Sequence, residues 1–404
     1  MSILLKPAPV RAVTAAPPSK SDLHRLLIAS ALAGCLNQVQ LPQELSEDIR
    51  ATWAAVKDLD KQGQQSIDCG ESGTTLRILL PILAALGKET AFGGAGRLPE
   101  RPLDELLQLL ERHGIHCVYA EPPRTLPLLI TGQLRNGRYA LPGNVSSQYI
   151  SGLLFALPLL RHTSQIVLTS PAESAGYIRM TQRTLSRFGI KIRETAYGYS
   201  IPGGQQYTSS ESTFRAEGDW SNAAFPLCAG ALAGEMTVSG LDSDSLQPDK
   251  RILSLLEEMG ASVSVTGDAV TVRRGELRGA SLDASGCPDL VPIAAVLMSL
   301  AQGRSRIYNA ARLRLKESDR IAAVVGLITA LGGKAQALPD GIEIEGQSAL
   351  RGGGTVDSQN DHRIAMSAAV AALRCEKPVT LTGAEAVSKS WPGFFTAYAA
   401  WKIS

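Results

Sequence analysis

The sequence predicts a two-domain α/β protein made of six repeats, each a buried helix followed by a strand, an amphipathic helix and a pair of strands. Three observations carry this reading. Six times a short polar cluster precedes an almost uncharged apolar segment of helical length, and an apolar helix with no polar face is normally buried all round. Four amphipathic segments follow these, each stopped by a glycine, the usual helix terminator. Beyond each glycine lies a stretch patterned as paired strands.

Taken in order, Ile3 to Val13 is strand-like and has no helix before it. The first apolar segment, Leu26 to Ala33, follows Ser19-Lys20-Ser21 and leads through Ile49 to Leu59 into Ser66-Ile67-Asp68, a short first repeat. The second, Leu76 to Leu86, follows Ser72-Gly73-Thr74, and the third, Ile150 to Leu160, follows Ser146-Ser147-Gln148. Ser221-Asn222 precedes Ala223 to Ala233, Pro288-Asp289 precedes Leu290 to Leu300, and Asp361-His362-Arg363 precedes Ile364 to Leu373. Ser, Asp and Asn at these starts are N-cap signals, and the free N–H groups there favour anions. The amphipathic segments are Leu103 to His113, Tyr177 to Phe188, Lys250 to Met259 and Ile321 to Leu331, ended by Gly114, Gly189, Gly260 and Gly332. Hairpins are expected over Ile115 to Ile130, Ile190 to Ile201, Ala261 to Arg273 and Lys334 to Ile344; Gly267-Asp268 and Pro339-Asp340-Gly341 supply turn chemistry for the last two. The sixth repeat ends on the short helix Phe394 to Lys402 without a hairpin, so residues 1 to 17 are expected to replace it and pack with the C-terminal half. Six repeats then divide into two domains of three, with chain crossings near Thr14 to Pro18 and near Glu217.

At 404 residues, 44% hydrophobic and formally +2, the chain can bury substantial cores, and its near-neutral charge argues against a general nucleic-acid or membrane surface. Met1 to Lys6 lacks the charged region and apolar core of a signal peptide, and no segment has membrane-spanning length. Six scattered cysteines without CxxC spacing read as reduced thiols of a cytoplasmic protein.

Familiar mechanistic motifs are missing. There is no GxxxxGK[ST], HExxH or GxSxG, and Gly94-Ala95-Gly96 runs into Arg97-Leu98-Pro99 rather than completing a dinucleotide fingerprint. Five histidines without paired spacing argue against zinc, so no metal or redox cofactor is expected. What remains is a set of basic residues beside helix starts: Lys20, Arg25, Arg77, Arg101, Lys316, Arg320, Arg363 and Lys389. Arg25, Arg77 and Arg363 lie in or beside apolar helices, where an uncompensated cation costs several kcal/mol. They are expected to need anions, either protein carboxylates or phosphate and carboxylate ligands.

Pro18-Ser19-Lys20-Ser21 with Arg25, Gly70 to Arg77, Arg101-Pro102, Leu315-Lys316-Glu317-Ser318-Asp319-Arg320, Asn360-Asp361-His362-Arg363 and Lys389-Ser390-Trp391-Pro392 together resemble the EPSP synthase (3-phosphoshikimate 1-carboxyvinyltransferase) family. The likeness runs in order over essentially the whole chain. It implies the two-domain enolpyruvyl transferase fold of six βαβαββ-type repeats, three per domain, with buried inward helices. Residues 18–216 would form the N-terminal domain on the shikimate 3-phosphate side, residues 1–17 and 217–404 the discontinuous C-terminal domain, with the active site in the cleft between them.

The implied reaction moves the enolpyruvyl group of phosphoenolpyruvate to the 5-hydroxyl of shikimate 3-phosphate, on the route to aromatic amino acids. By the same resemblance Lys20, Ser21, Arg25, Ser146, Ser147, Gln148, Ser174, Asp289 and Lys316 would hold shikimate 3-phosphate. Lys20, Gly73, Arg101, Gln148, Arg320, Arg363 and Lys389 would hold phosphoenolpyruvate. Asp289 is the expected base, Glu317 the expected proton carrier to the methylene carbon, and Lys20 an aid to it. Read from the residues alone, Asp289 is equally an N-cap after Pro288, and Glu317 an ion-pair partner of Arg320 or Lys316. The chain departs from the family pattern at Glu71, where a neutral Asn is common, and at Asp22-Leu23-His24. A monomer is the family's default. Two other readings are an enolpyruvyl transferase acting on UDP-N-acetylglucosamine and a non-catalytic phosphometabolite or RNA-end binding protein on a related fold. The first lacks support because Gly93 to Glu100 contains no cysteine and Lys20 is followed by Ser21; the second gains nothing from Asp289 and Glu317.

Overall fold

One pattern of strand pairing recurs along the chain and accounts for the repetition in sequence. The computed structural model describes residues 1–59, 63–119 and 126–403. Two strands open it, β1 (Ser2–Leu5) and β2 (Val10–Ala15). The chain divides into two units, Lys20–Ala216 and Met1–Ser19 with Glu217–Ser404.

The Lys20–Ala216 unit starts with α1 (Lys20–Leu32) and α2 (Glu47–Val56). Next come β3 (Gln65–Asp68), α3 (Gly73–Ala85), β4 (Thr90–Gly93), α4 (Asp104–Arg112), β5 (Ile115–Tyr119) and β6 (Leu128–Gly132). Their sheet has the order β3-β4-β6-β5, a parallel pair followed by two antiparallel ones. The parallel pair needs a crossover, which α3 supplies, whereas the hairpin closes locally. The turn expected inside Ile115 to Ile130 includes residues 120–125, which lie outside the described residues. β7 (Arg138–Leu141), α5 (Ser147–Ala156), β8 (Ser164–Leu168), α6 (Ala175–Arg187), β9 (Arg193–Thr195) and β10 (Gly198–Ile201) repeat the pattern as β7-β8-β10-β9. The first repeat is reduced. Among the described residues it has two helices and, in place of a sheet, the isolated bridge Val39 to Phe214.

In the other unit, α7 (Trp220–Ala233), β11 (Gly234–Ser239), α8 (Ile252–Met259), β12 (Ser262–Thr266) and β13 (Ala269–Arg273) join β2 in the order β2-β11-β13-β12. β14 (Ser281–Asp283), α9 (Val291–Ser299), β15 (Arg304–Tyr308), α10 (Arg320–Ala330), β16 (Lys334–Leu338) and β17 (Gly341–Glu345) give β14-β15-β17-β16. The last repeat holds β18 (Leu350–Gly352), β19 (Thr355–Asp357), α11 (His362–Ala372), β20 (Cys375–Lys377), β21 (Val379–Thr382) and α12 (Phe394–Ala400). Its β19 and β21 are parallel, and β1 adds antiparallel to β21 where a hairpin strand would otherwise lie. The single strand expected over Ile3 to Val13 is in fact two. Pro7 and Pro9 interrupt it, since proline cannot donate to a ladder, so β1 serves the sixth sheet and β2 the fourth.

All four glycine stops are left-handed, with φ of +99° at Gly114, +76° at Gly189, +97° at Gly260 and +85° at Gly332. The apolar helices are buried on all sides: every residue of α7 and α11 is inaccessible, as are all but Thr74 in α3. Close approach of α3 and α5 depends on Gly152. A Cβ there would lie 2.5 Å from the Arg77 carbonyl oxygen and 2.8 Å from Pro81. Pro81 has no N–H to give that carbonyl, four residues earlier, so α5 packs where the helix ladder is open.

Helix starts follow the sequence reading with two corrections. Ser72, Ser146 and Asp361 accept from Thr75, Gln148 and Arg363 amides as caps. The cap of α7 is Asp219, which accepts from the Asn222 amide, and Ser221 sits inside the first turn with its hydroxyl available for another partner. A short 3-10 turn, Pro288–Leu290, precedes α9, whose start has no side-chain cap. Asp289 is therefore not an N-cap. No helix among the described residues is long and apolar enough to cross a membrane, and all six cysteines are free.

Candidate active site

In the Lys20–Ala216 unit the polar residues gather at the starts of the buried helices. Lys20, at the first position of α1, donates to Asp48 at 2.7 Å, a partner on α2 that the sequence reading missed. Arg25, one turn further on, is buried but not paired with a carboxylate in its hydrogen bonds. It donates to the Ser21 carbonyl at 2.6 Å, the Tyr177 carbonyl at 2.9 Å and Thr181 Oγ1 at 2.8 Å. Burial draws its guanidinium down to about 10, against the opposing pull of Asp22, so it keeps its charge at neutral pH. Its hydrogen bonds go to neutral oxygens of α1 and α6, while the buried Asp22 supplies the protein carboxylate expected for it.

Arg77 gives hydrogen bonds to Gln148 Oε1 at 3.0 Å and the Pro102 carbonyl at 2.8 Å. Gln148 in turn donates to Thr74 Oγ1 at 2.8 Å, joining the starts of α3 and α5. Arg101 reaches the same place: a Cβ on Gly73 would meet Arg77 Nη1 at 2.9 Å and Arg101 Nη1 at 3.1 Å. Gly73, Arg77, Arg101 and Gln148 are therefore one cluster. Ser147 is buried in the first turn of α5. Ser174 is also buried and begins α6 with φ of +53°, an arrangement that costs a non-glycine residue roughly 1–3 kcal/mol.

His24, part of the segment that departs from the family pattern, supports this cluster from behind. Its Nδ1 lies 2.7 Å from Thr52 Oγ1, which is 2.6 Å from Thr75 Oγ1, which donates to the capping Ser72 hydroxyl at 2.7 Å. Burial, then the charges of Lys20 and Arg25, hold His24 well below the ordinary histidine range and keep it neutral. Glu71 places its carboxylate against Gly96, whose φ of +57° already favours glycine.

In the second unit the charges are concentrated further. Arg320, 1% exposed, donates to Asp361 Oδ2 at 2.8 Å, Asp289 Oδ1 at 2.7 Å and Glu317 Oε2 at 2.8 Å. Arg363 gives hydrogen bonds to the Asp289 carbonyl at 3.2 Å and carboxylate at 3.1 Å, and Lys316 stands 3.8 Å from Asp289. Asp361, fully buried, also accepts from Ser318 at 3.0 Å while capping α11, so one carboxylate fixes both the helix start and the arginine. Lys389 joins from the C-terminal side by donating to the Asn360 carbonyl at 2.6 Å. Three cations, Lys316, Arg320 and Arg363, thus stand against the carboxylates of Asp289, Glu317 and Asp361.

Burial opposes ionisation of Asp289, but Arg363, Lys316 and Arg320 outweigh it and hold its carboxyl well below the usual range. Its side chain stays 21% exposed, so it remains reachable. An ionised, accessible carboxylate among anchored cations suits proton abstraction from a ligand that those cations also hold.

The sequence model described as EPSP synthase (3-phosphoshikimate 1-carboxyvinyltransferase) matches residues 56–397. The chain belongs to this family. A 3-phosphoshikimate 1-carboxyvinyltransferase of Clostridium acetobutylicum is 42% identical, the match covering 94% of this chain and 92% of that protein. One from Clostridium novyi is 39% identical with the same coverage. Among solved structures, an EPSP synthase from Acinetobacter baumannii aligns with a TM-score of 0.79 and 25% identity, covering 100% of this chain and 98% of that one. The enolpyruvyl transferase NikO from Streptomyces tendae has a TM-score of 0.75 at 16% identity over 99% and 97% of the two chains, and speaks to the fold alone. The family motifs around Lys20, Gly73, Arg320 and Arg363 lie at the starts of α1, α3, α10 and α11, whereas Lys389 ends the 3-10 turn Ala384–Lys389.

Proposed function

We propose that this protein transfers the enolpyruvyl group of phosphoenolpyruvate to the 5-hydroxyl of shikimate 3-phosphate, releasing phosphate, in aromatic amino acid biosynthesis. Membership of the EPSP synthase family supports the overall reaction. The observation that carries the mechanism is the Asp289 carboxylate, kept ionised and accessible by Arg363, Lys316 and Arg320. Asp289 takes the proton of the 5-hydroxyl as its oxygen attacks the central carbon of phosphoenolpyruvate, and Glu317, entering this step protonated and with Lys20 assisting, delivers its proton to the methylene carbon and so becomes the carboxylate that can accept one back. A proton then leaves that carbon as phosphate departs, which restores the double bond.

Lys20, Ser21, Arg25, Ser146, Ser147, Gln148 and Ser174, with Asp289 and Lys316, hold shikimate 3-phosphate in this proposal. Lys20, Gly73, Arg101, Gln148, Arg320, Arg363 and Lys389 hold phosphoenolpyruvate. Helix-start amides and hydroxyls suit phosphate oxygens, and arginine forks suit carboxylates. We take the enzyme to be a cytoplasmic monomer that needs no cofactor. Phosphate release from phosphoenolpyruvate tests the reaction: it is expected with shikimate 3-phosphate and absent without it. Release only with UDP-N-acetylglucosamine, or none with either acceptor, would replace this reading by one of the two others.

Gly73 offers a second test. In Gly73→Ala the new methyl group pushes the Arg77 and Arg101 guanidinium groups by a few tenths of an ångström, since both already lie near 3 Å from its position. Steady-state kinetics should show KM for phosphoenolpyruvate raised about tenfold, the equivalent of roughly 1.4 kcal/mol, with KM for shikimate 3-phosphate changed far less.

A further inference from the structure

The start of α7 has the form of the other buried helix starts, yet no substrate contact falls to it. The structure shows what occupies it. Ser221 Oγ donates a hydrogen bond to the carboxylate of Asp249, which is fully buried at the start of a 3-10 turn, Pro248–Arg251. That turn packs on α7, as do the turn carrying Asp289 and the helix carrying Arg363. Asp249 therefore faces Asp219 and Ser221 from α7, Cys287 and Asp289 from the turn before α9, and Arg363 from α11.

We propose that Asp249 is a positioning residue for the reaction, an internal carboxylate that shares the charge of Arg363 with Asp289 and so sets how strong a base Asp289 is. The proposal rests on Asp289 acting as the base. Arg363, Lys316 and Arg320 hold the Asp289 carboxyl well below the usual range even with Glu317 opposing them, so a further negative charge makes it a stronger base. Asp249, in addition to Glu317, supplies such a charge and offsets part of the field of Arg363. The physical state of Asp249 makes it adjustable: burial, then repulsion from Asp289, push its carboxyl up to about 6, while Arg363 and the Ser221 hydroxyl pull the other way. Asp249 is thus neutral in mildly acid solution and charged above it, strengthening Asp289 as it ionises.

The isosteric Asp249→Asn keeps an acceptor for Ser221 and removes the charge. The ratio of native to variant kcat/KM, in which ionisation of the substrates' own phosphates cancels, should be near one at pH 5 and rise to about tenfold by pH 8, turning over near pH 6. Thermal unfolding gives an independent reading. A carboxyl raised in the folded state favours folding below its unfolded value, about 3.9, and loses that contribution as pH rises through its folded value. Native protein and variant should therefore melt alike near pH 4, with the variant melting higher at pH 8. A rate ratio that does not change with pH while Asp289→Asn is inactive, or a melting difference independent of pH, overturns the proposal. An Asp289→Asn enzyme that still turns over would instead remove the base assignment beneath it.

Discussion

Asp289→Asn should lower kcat by about 10²–10⁴-fold, the usual contribution of a positioned general base, with far smaller changes in KM for either substrate. The amide keeps the shape of the side chain, and its single oxygen can still accept from one of Arg320 Nη1 and Arg363 Nη2, which donate to different oxygens of the native carboxylate at 2.7 Å and 3.1 Å. It cannot take a proton from the 5-hydroxyl. Asparagine is preferred to alanine because alanine would release both arginines and confuse loss of a base with loss of the phosphoenolpyruvate clamp. Initial rates of phosphate release under saturating substrates measure the effect directly. A kcat within threefold of native would take Asp289 out of the proton-transfer role, leaving Glu317 as the other carboxylate on Arg320 that is not fully buried.

Arg320→Met should be the most disruptive single change for stability. The native guanidinium is 1% exposed and bonds Asp361, Asp289 and Glu317 at once. Methionine fills much of the same volume but leaves these carboxylates facing one another with only Lys316 and Arg363 to balance them. Removing one partner of a buried ion pair typically costs about 3–5 kcal/mol, and here the lost partner serves three. Chemical denaturation should show the transition of the Glu217–Ser404 unit moved to lower denaturant, while that of the Lys20–Ala216 unit stays in place. The loss should shrink in acid. Asp289 has a depressed folded value, so its contribution is present above the unfolded carboxyl value and vanishes as pH falls through the folded one. A variant as stable as the native protein at neutral pH would mean that the carboxylates relax onto Lys316 and Arg363 without penalty.

Much of the architecture was legible because its signals are local. A run such as Ala223 to Ala233 has no polar face to expose, and Gly114, Gly189, Gly260 and Gly332 mark helix ends because a left-handed turn favours glycine wherever it occurs. The missing hairpin of the sixth repeat was legible for the same reason, as a strand without a home at the other end of the chain. The interruption at Pro7 and Pro9 carried a warning that β1 and β2 would serve different sheets, but which sheets depends on pairings more than 200 residues apart. The first repeat was read as short, but its lack of a sheet was not legible, because α1 and α2 match the helical part of the pattern whether or not strands accompany them.

The chemical residues divide along the same line. Helix-start positions made Lys20, Gly73, Gln148, Asp289 and Arg363 stand out, and the family motifs added roles to them. The sequence could not tell that Arg25 donates to Thr181 and Arg77 to Gln148 whereas Arg320 donates to Asp361, since such partners are set by what packs against the side chain. Asp48 and Asp249 were given no role, and His24 stood out only as a departure from the family pattern: each gains its meaning from a residue 28 positions away on another element. Periodicity and backbone chemistry, being short-range, determined the repeats, the buried helices and their polar starts. Only tertiary structure decided which charge meets which, because electrostatic pairing acts through space between segments that the sequence keeps apart.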